Sequence, residues 1–238
     1  MRRRRLALLA LVCAVLGGGV LASACRSGGD ASKADAADVL RRGAERMDNL
    51  KSFHFDLAHE NGTSQIVRGL QMVSATGDVV PPDRLRLDAK AKAGPLNIAV
   101  GIVALPGHSY ITNPVTGRWE EEQISVSQFF DPAVGVTALM RGTTEAKVTA
   151  TEKVEGRNTH RVEAFIDSGK MTLFAANAAP GRALKVRAWV GVDDPVLVRV
   201  EIDGAVVDGE PANLLRRLTL SKFDEAIQIE APQTGAPR

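Results

Sequence analysis

Cysteine is nearly missing from this chain: 238 residues hold two, Cys13 and Cys25. The body beyond Cys25 has no pair to cross-link, so its stability must come from packing. Aromatic residues are also scarce, with seven Phe, two Trp and one Tyr. Aliphatic side chains must therefore build most of any core or pocket. The four histidines, His54, His59, His108 and His160, are scattered along the chain, which argues against convergent metal ligands. There is no glycine-rich phosphate loop before a helix and no Walker lysine, and no cofactor is expected. Beyond residue 20 no apolar run approaches the roughly 20 residues needed to span a bilayer.

One apolar run does occur, from Leu6 to Val20. It follows Arg2-Arg3-Arg4-Arg5 and leads into Leu21-Ala22-Ser23-Ala24-Cys25. A basic start, a short hydrophobic stretch and small residues at a junction form a signal peptide over residues 1–24. The small-small-Cys junction looks like that of bacterial lipoproteins, in which the thiol takes a diacylglyceryl group and becomes the new N-terminus; the alternative is plain secretion with Cys25 incidental. Ala22 departs from the commoner Leu at its position. Two or more acyl chains anchor a protein stably, at about 0.8 kcal/mol per buried methylene. The expected address is the extracytoplasmic face of the cell membrane, with lipidated Cys25 followed by a polar tether to residue 34. Removing residues 1–24 takes four of the 30 basic residues and leaves 26 against 28 acidic ones, which argues against a nucleic-acid partner.

Asp35 to Leu50 places Val39, Leu40, Ala44 and Met47 at helical spacing, with Asp35 or Ser32 able to cap the start. The period then changes to two. Phe53–Leu57 and Leu85–Lys92 alternate apolar and polar residues, and Leu96–Ile102 puts large aliphatics on one face. Further strand candidates are His108–Asn113, Ala146–Val154, Thr159–Ile166, Leu184–Val190, Val196–Ile202 and Arg216–Leu220. They are separated by turn signals such as Pro106-Gly107, Glu155-Gly156 and Asp193-Asp194-Pro195. Short strands linked by tight turns predict one strongly curved antiparallel sheet rather than βαβ units. Ser125–Arg141 reads as two short helices and Met171–Ala179 as another. The expected fold class is α+β, as a single domain over residues 35–232 with a tail at 233–238.

No acid, base and nucleophile come together in the sequence. Gly107-His108-Ser109-Tyr110-Ile111 begins like a nucleophile elbow but lacks the closing Gly and the following helix. Glu120-Glu121-Glu122 reads as a solvated rim and Asp193-Asp194 as a turn. An enzyme is not expected.

Leu50–Phe55, Pro106–Ile111, Thr116-Gly117-Arg118-Trp119, Gly156–Val162, Val186–Gly204 around Trp189, and Leu218–Asp224 together resemble the LppX/LprG/LprA group of envelope lipoproteins, best known from mycobacteria. The resemblance runs from about Ala34 to Pro232 in consistent order. Its motifs are packing and turn residues, and their joint occurrence behind a lipobox gives them weight. It implies an open half-barrel closed by helices on its concave side, similar to the carriers LolA and LolB. It also implies a function: enclosing the acyl chains of a lipid or glycolipid and carrying or presenting it between membranes, with a membrane transporter as a possible partner. A monomer is expected.

Exposing acyl chains to water costs about 25 cal/mol per Å², and an aliphatic cavity removes that cost without covalent chemistry. The candidate lining is the apolar strand face: Phe53, Phe55, Leu57, Leu85, Leu87, Ile98, Val100, Ile102, Trp189, Val198 and Val200. Phe129, Phe130, Leu139 and Met140 would form a lid or portal. Trp119 and Tyr110 suit a membrane-facing rim, and Arg84, Arg86 and Lys90 a solvated strand face. An inward aliphatic on a strand is usually ordinary core. The competing reading is a structural or signalling lipoprotein of the same fold, with a filled interior, that docks a protein partner.

Overall fold

The computed structural model describes residues 34–65, 69–124, 135–171 and 178–235. Its first element is helix α1, Ala36–Asp48. Asp35 caps it by accepting a hydrogen bond from the Ala37 N–H at 3.1 Å, satisfying one of the orphan donors of the first turn. Ala36, Val39, Leu40, Gly43, Ala44 and Met47 are buried, one stripe at helical spacing. The opposite face carries Arg41 between Asp38 and Glu45.

Twelve strands follow among the described residues. They are β1 Phe53–Glu60, β2 Ser64–Gln65, β3 Gln71–Val80, β4 Arg84–Ala93, β5 Leu96–Leu105, β6 His108–Thr112, β7 Trp119–Glu121, β8 Thr144–Val154, β9 Arg157–Asp167, β10 Ala183–Gly191, β11 Leu197–Asp203 and β12 Leu215–Ser221. A short helix α2, Val136–Arg141, precedes β8, and a 3₁₀ turn at Ser168–Met171 follows β9. All strands belong to one antiparallel sheet in the order β7-β6-β5-β4-β3-β1-β12-β11-β10-β9-β8, with β2 beside β3. The fold is thus α+β, a strongly curved open half-barrel. Most neighbours are sequential hairpins. The β8–β9 turn, for example, puts Glu155 and Gly156 at φ 46° and 79°, the left-handed pair that suits a two-residue hairpin. The exception is β1, which pairs with β12 and joins the two halves.

Residues directly opposite one another across a ladder project to the same side. Leu57 faces Ala75 and Leu218, Ala75 faces Ala89, and Ala89 faces Val100, which defines an apolar inner face. The outer face carries charge: Arg187 and Arg217 flank Glu201, and Arg217 also reaches Glu60.

Curvature has local causes. Gly77 lies opposite Leu87, and a Cβ on Gly77 would stand 2.2 Å from the Arg86 carbonyl oxygen. Only glycine permits β3 and β4 to approach so closely. On β11 the register shifts, so that Val190 faces Leu197 while Trp189 faces Arg199. Val198 is the extra residue of a bulge, which lets both Leu197 and Val198 be buried.

Helix α1 covers the β8–β12 half of the inner face, with Val39, Leu40, Ala44 and Met47 packed among Val162, Ala188, Val190 and Val198. The β3–β6 half packs Ala75, Ala89, Ala91, Val100 and Ile111 with Phe55, Leu57, Leu87, Ile98 and Ile102. A separate cluster joins Val103 and Trp119 to Ile229 near the C-terminus. The predicted helix at Asp35–Leu50 is α1. Of the helical readings at Ser125–Arg141 and Met171–Ala179, residues 125–134 and 172–177 lie outside the described residues.

Candidate functional site

A cavity lies between the inner face and the helices. It is narrow: the space that a water molecule can reach inside it is about 60 Å³. The floor is built from alternate residues of neighbouring strands: Leu57 on β1, Met72 on β3, Val162, Ala164 and Ile166 on β9, Val186 and Ala188 on β10, Val200 and Ile202 on β11, and Leu218 on β12. Leu40 of α1, Val136, Leu139 and Met140 of α2, and Met171 close it. Three methionines, Met72, Met140 and Met171, give this lining adaptable side chains.

The two helices cross closely. A Cβ on Gly43 would meet Met140 Cε at 2.7 Å. Arg141 at the end of α2 pairs with Asp48 at the end of α1, and Lys170 Nζ donates to the Gly142 carbonyl at 3.4 Å.

One end of the cavity is polar, where His59, Ser64 and Arg216 reach it. Arg216 and Ser64 are buried, at 5 % and 4 % exposure. Arg216 Nη2 donates to Glu210 Oε1 at 2.6 Å, Nη1 to the Gly204 carbonyl at 2.9 Å and Nε to Ser64 Oγ at 3.1 Å. Glu210 Oε2 in turn accepts from the Val206 N–H at 2.7 Å, which fixes the β11–β12 loop. His59 Nδ1 lies 3.2 Å from the Val73 carbonyl. Since a carbonyl only accepts, Nδ1 carries the proton and Nε2 is left as an acceptor. Burial pushes the His59 pKa down, and the nearby Arg216 charge adds to the shift against the opposing influence of the Val73 carbonyl and Glu210. The ring is therefore neutral at physiological pH.

Of the residues singled out from sequence, Leu57, Leu139, Met140 and Val200 line the cavity. Phe53 and Phe55 bridge the two halves of the inner core, packing against both the α1 cluster and the Val79–Leu85 cluster. Leu85, Leu87, Ile98, Val100 and Ile102 share the inner face but sit in the packed β3–β6 half. Val198 is wholly buried with α1. Trp189 faces the other way: its strand neighbours Val186 and Ala188 reach the cavity, whereas its indole N–H donates to Glu152 Oε1 at 2.7 Å and its ring lies under Arg199. Trp119 is enclosed by Val103 and Ile229 rather than presented at a rim. Cys25, Phe129 and Phe130 lie outside the described residues.

Sequence reasoning passed over His59, Ser64, Met72, the β9 triplet and Arg216. A signal existed for two of these sites. Val162, Ala164 and Ile166 alternate with Arg161 and Glu163, and Arg216 shares its alternation with Leu218 and Leu220. An arginine on the apolar phase of a strand marks a buried partner. Among the described residues no group of three His, Cys, Asp or Glu side chains could hold a metal ion.

An open antiparallel half-barrel with helices over an apolar-lined cavity defines the architectural class. Within that class the chain belongs to the LppX_LprAFG lipoprotein family, whose model matches residues 35–229. It is 22% identical over 222 residues, 89% of each chain, to the lipoarabinomannan carrier protein LprG of Mycobacterium leprae. It is 29% identical over 112 residues to LppX of Mycobacterium tuberculosis, which is named as a phthiocerol dimycocerosate transporter. That match spans 45% of this chain and 43% of the LppX relative. Among solved structures, LprF of Mycobacterium bovis superposes with a TM-score of 0.66 at 18% identity, covering 84% of this chain and 97% of that one. LppX of Mycobacterium tuberculosis gives 0.61 at 20% identity, covering 82% and 98%. These likenesses establish the fold.

Proposed function

We propose that this lipoprotein is anchored through acylated Cys25 to the extracytoplasmic face of the cell membrane. There it holds the acyl chains of a lipid or glycolipid in the cavity and carries or presents that lipid between membranes. The observation that carries this reading is the apolar cavity between the inner sheet face and α1 and α2. The names of the LprG and LppX relatives supply the ligand class. The narrowness of the cavity favours a second reading, a lipoprotein whose filled interior supports docking of a protein partner.

Native mass spectrometry of the purified protein, stripped of detergent and then incubated with total envelope lipid, separates the two. Adducts that extract as diacyl or triacyl lipid support the carrier. A clean apo mass supports the docking module. Cys25→Ser moves the protein from the membrane to the soluble fraction if the thiol bears the anchor, as fractionation and immunoblotting would register.

A further inference from the structure

The polar end of the cavity has a charge balance that selects among lipids. We propose that Arg216, Ser64 and His59 form a subsite for the ester and hydroxyl oxygens of an uncharged acyl lipid, and that Glu210 excludes anionic phosphate headgroups from it. This rests on the carrier reading above.

Three observations support it. Arg216 is a buried cation on an otherwise apolar wall, and Glu210, 2.6 Å away and 9 % exposed, balances its charge. The pair offers no net positive charge, so a phosphate at Arg216 would either compete with Glu210 for the guanidinium or add a second anion close to a buried carboxylate, with little water to screen the repulsion. Hydrogen-bonding capacity is nevertheless left over. Three of the five guanidinium N–H groups are placed on Glu210, Gly204 and Ser64. Ser64 Oγ accepts from Arg216 at 3.1 Å, and His59 holds Nε2 as an acceptor beside them. Spare donors suit an ester carbonyl and a spare acceptor suits a hydroxyl, the two groups where acyl chains meet a neutral glycerol or sugar. The cavity thus binds chains along its aliphatic floor and reads the junction at this end.

Competition between two probes tests it: diacylglycerol and phosphatidic acid with identical acyl chains, offered in equal amounts to the purified protein and quantified by native mass spectrometry. The wild-type protein is expected to retain diacylglycerol at least about tenfold over phosphatidic acid. Glu210→Gln, which leaves Arg216 uncompensated, should bring the ratio to unity or reverse it, since a charge-assisted pair with the phosphate becomes available. Ser64→Ala, a milder change, should lower the diacylglycerol preference about fivefold and serves if Glu210→Gln fails to fold by circular dichroism. Equal retention of both lipids by the wild type, or a ratio that neither folded variant alters, overturns the subsite and leaves the carrier reading standing. Retention of neither lipid overturns the subsite, and the carrier reading falls with it only if total envelope lipid also leaves a clean apo mass.

Discussion

Glu201 is the residue on which the outer face converges. Its carboxylate accepts from Arg187 Nε at 2.8 Å and Arg217 Nε at 2.7 Å, pinning three adjacent strands. Burial alone would raise its pKa, but the hydrogen bonds and charges of Arg217 and Arg187 outweigh burial and hold it below the ordinary 4.5. A carboxyl with a lower pKa in the folded than in the unfolded chain stabilises the fold fully above the unfolded value. That stability is lost as pH falls through the folded value. The melting temperature should therefore drop on acidification below about pH 4.5, and less steeply in Glu201→Gln. At pH 7 the same variant should cost about 2 kcal/mol; an unchanged acid limb would show that Glu201 does not carry the effect. Gly77 acts through space rather than charge. Gly77→Ala sets a methyl against the Arg86 carbonyl, backbone that cannot swing aside, and should cost about 3 kcal/mol in urea denaturation.

At the scale of elements, α1 is held over the sheet by polar ties as well as by its apolar stripe. Arg46 donates to Asp194 in the β10–β11 turn at 2.8 Å and to Asp224 beyond β12 at 2.6 Å. Asp224 also accepts from the Lys51 N–H at 2.7 Å. Arg46→Ala should cost only about 1 kcal/mol in global stability, since the guanidinium is partly solvated. It should raise hydrogen exchange in α1 selectively; a uniform rise over the sheet would mean that α1 does not open separately. This helix was legible because its stripe and its Asp35 cap are local signals. The strands with clean alternation, such as Leu85–Lys92 and Thr159–Ile166, were legible for the same reason. Strand β3 was not: Gln71–Val80 mixes Ser, Thr, Gly and Asp with aliphatics, and β-structure there comes from pairing with β1 and β4 rather than from propensity. The side of the sheet to which Trp189 points was legible, because it shares the phase of Lys185 and Arg187 rather than of Leu184, Val186 and Ala188; its size and apolar ring favoured the inward reading instead.

For the whole molecule the decisive quantity is free volume, which alternation cannot encode. Inward aliphatics look alike whether they pack the β3–β6 half, as Val100 and Ile102 do, or line the cavity, as Val200 and Leu218 do. What separates them is what stands over each stretch: Val136, Leu139 and Met140 of α2 close the space above β9–β12, whereas Ile98 and Ile102 of the β3–β6 half are only half-buried among the described residues. Ala164, on the cavity floor and 4 % exposed, converts this into an experiment. If the cavity is open to ligand, Ala164→Phe puts its ring into existing space and gains dispersion contacts without forcing neighbours apart. The melting temperature then holds or rises, while lipid retained per protein falls at least about tenfold by native mass spectrometry. If the interior behaves as a filled core, the same ring overpacks it. Stability then drops by about 1–3 kcal/mol, and in a protein of this size each kcal/mol lowers the melting temperature by roughly 2–4 °C. The two readings thus predict opposite signs for one melting curve, and the lipid measurement on the same sample identifies which interior the molecule has.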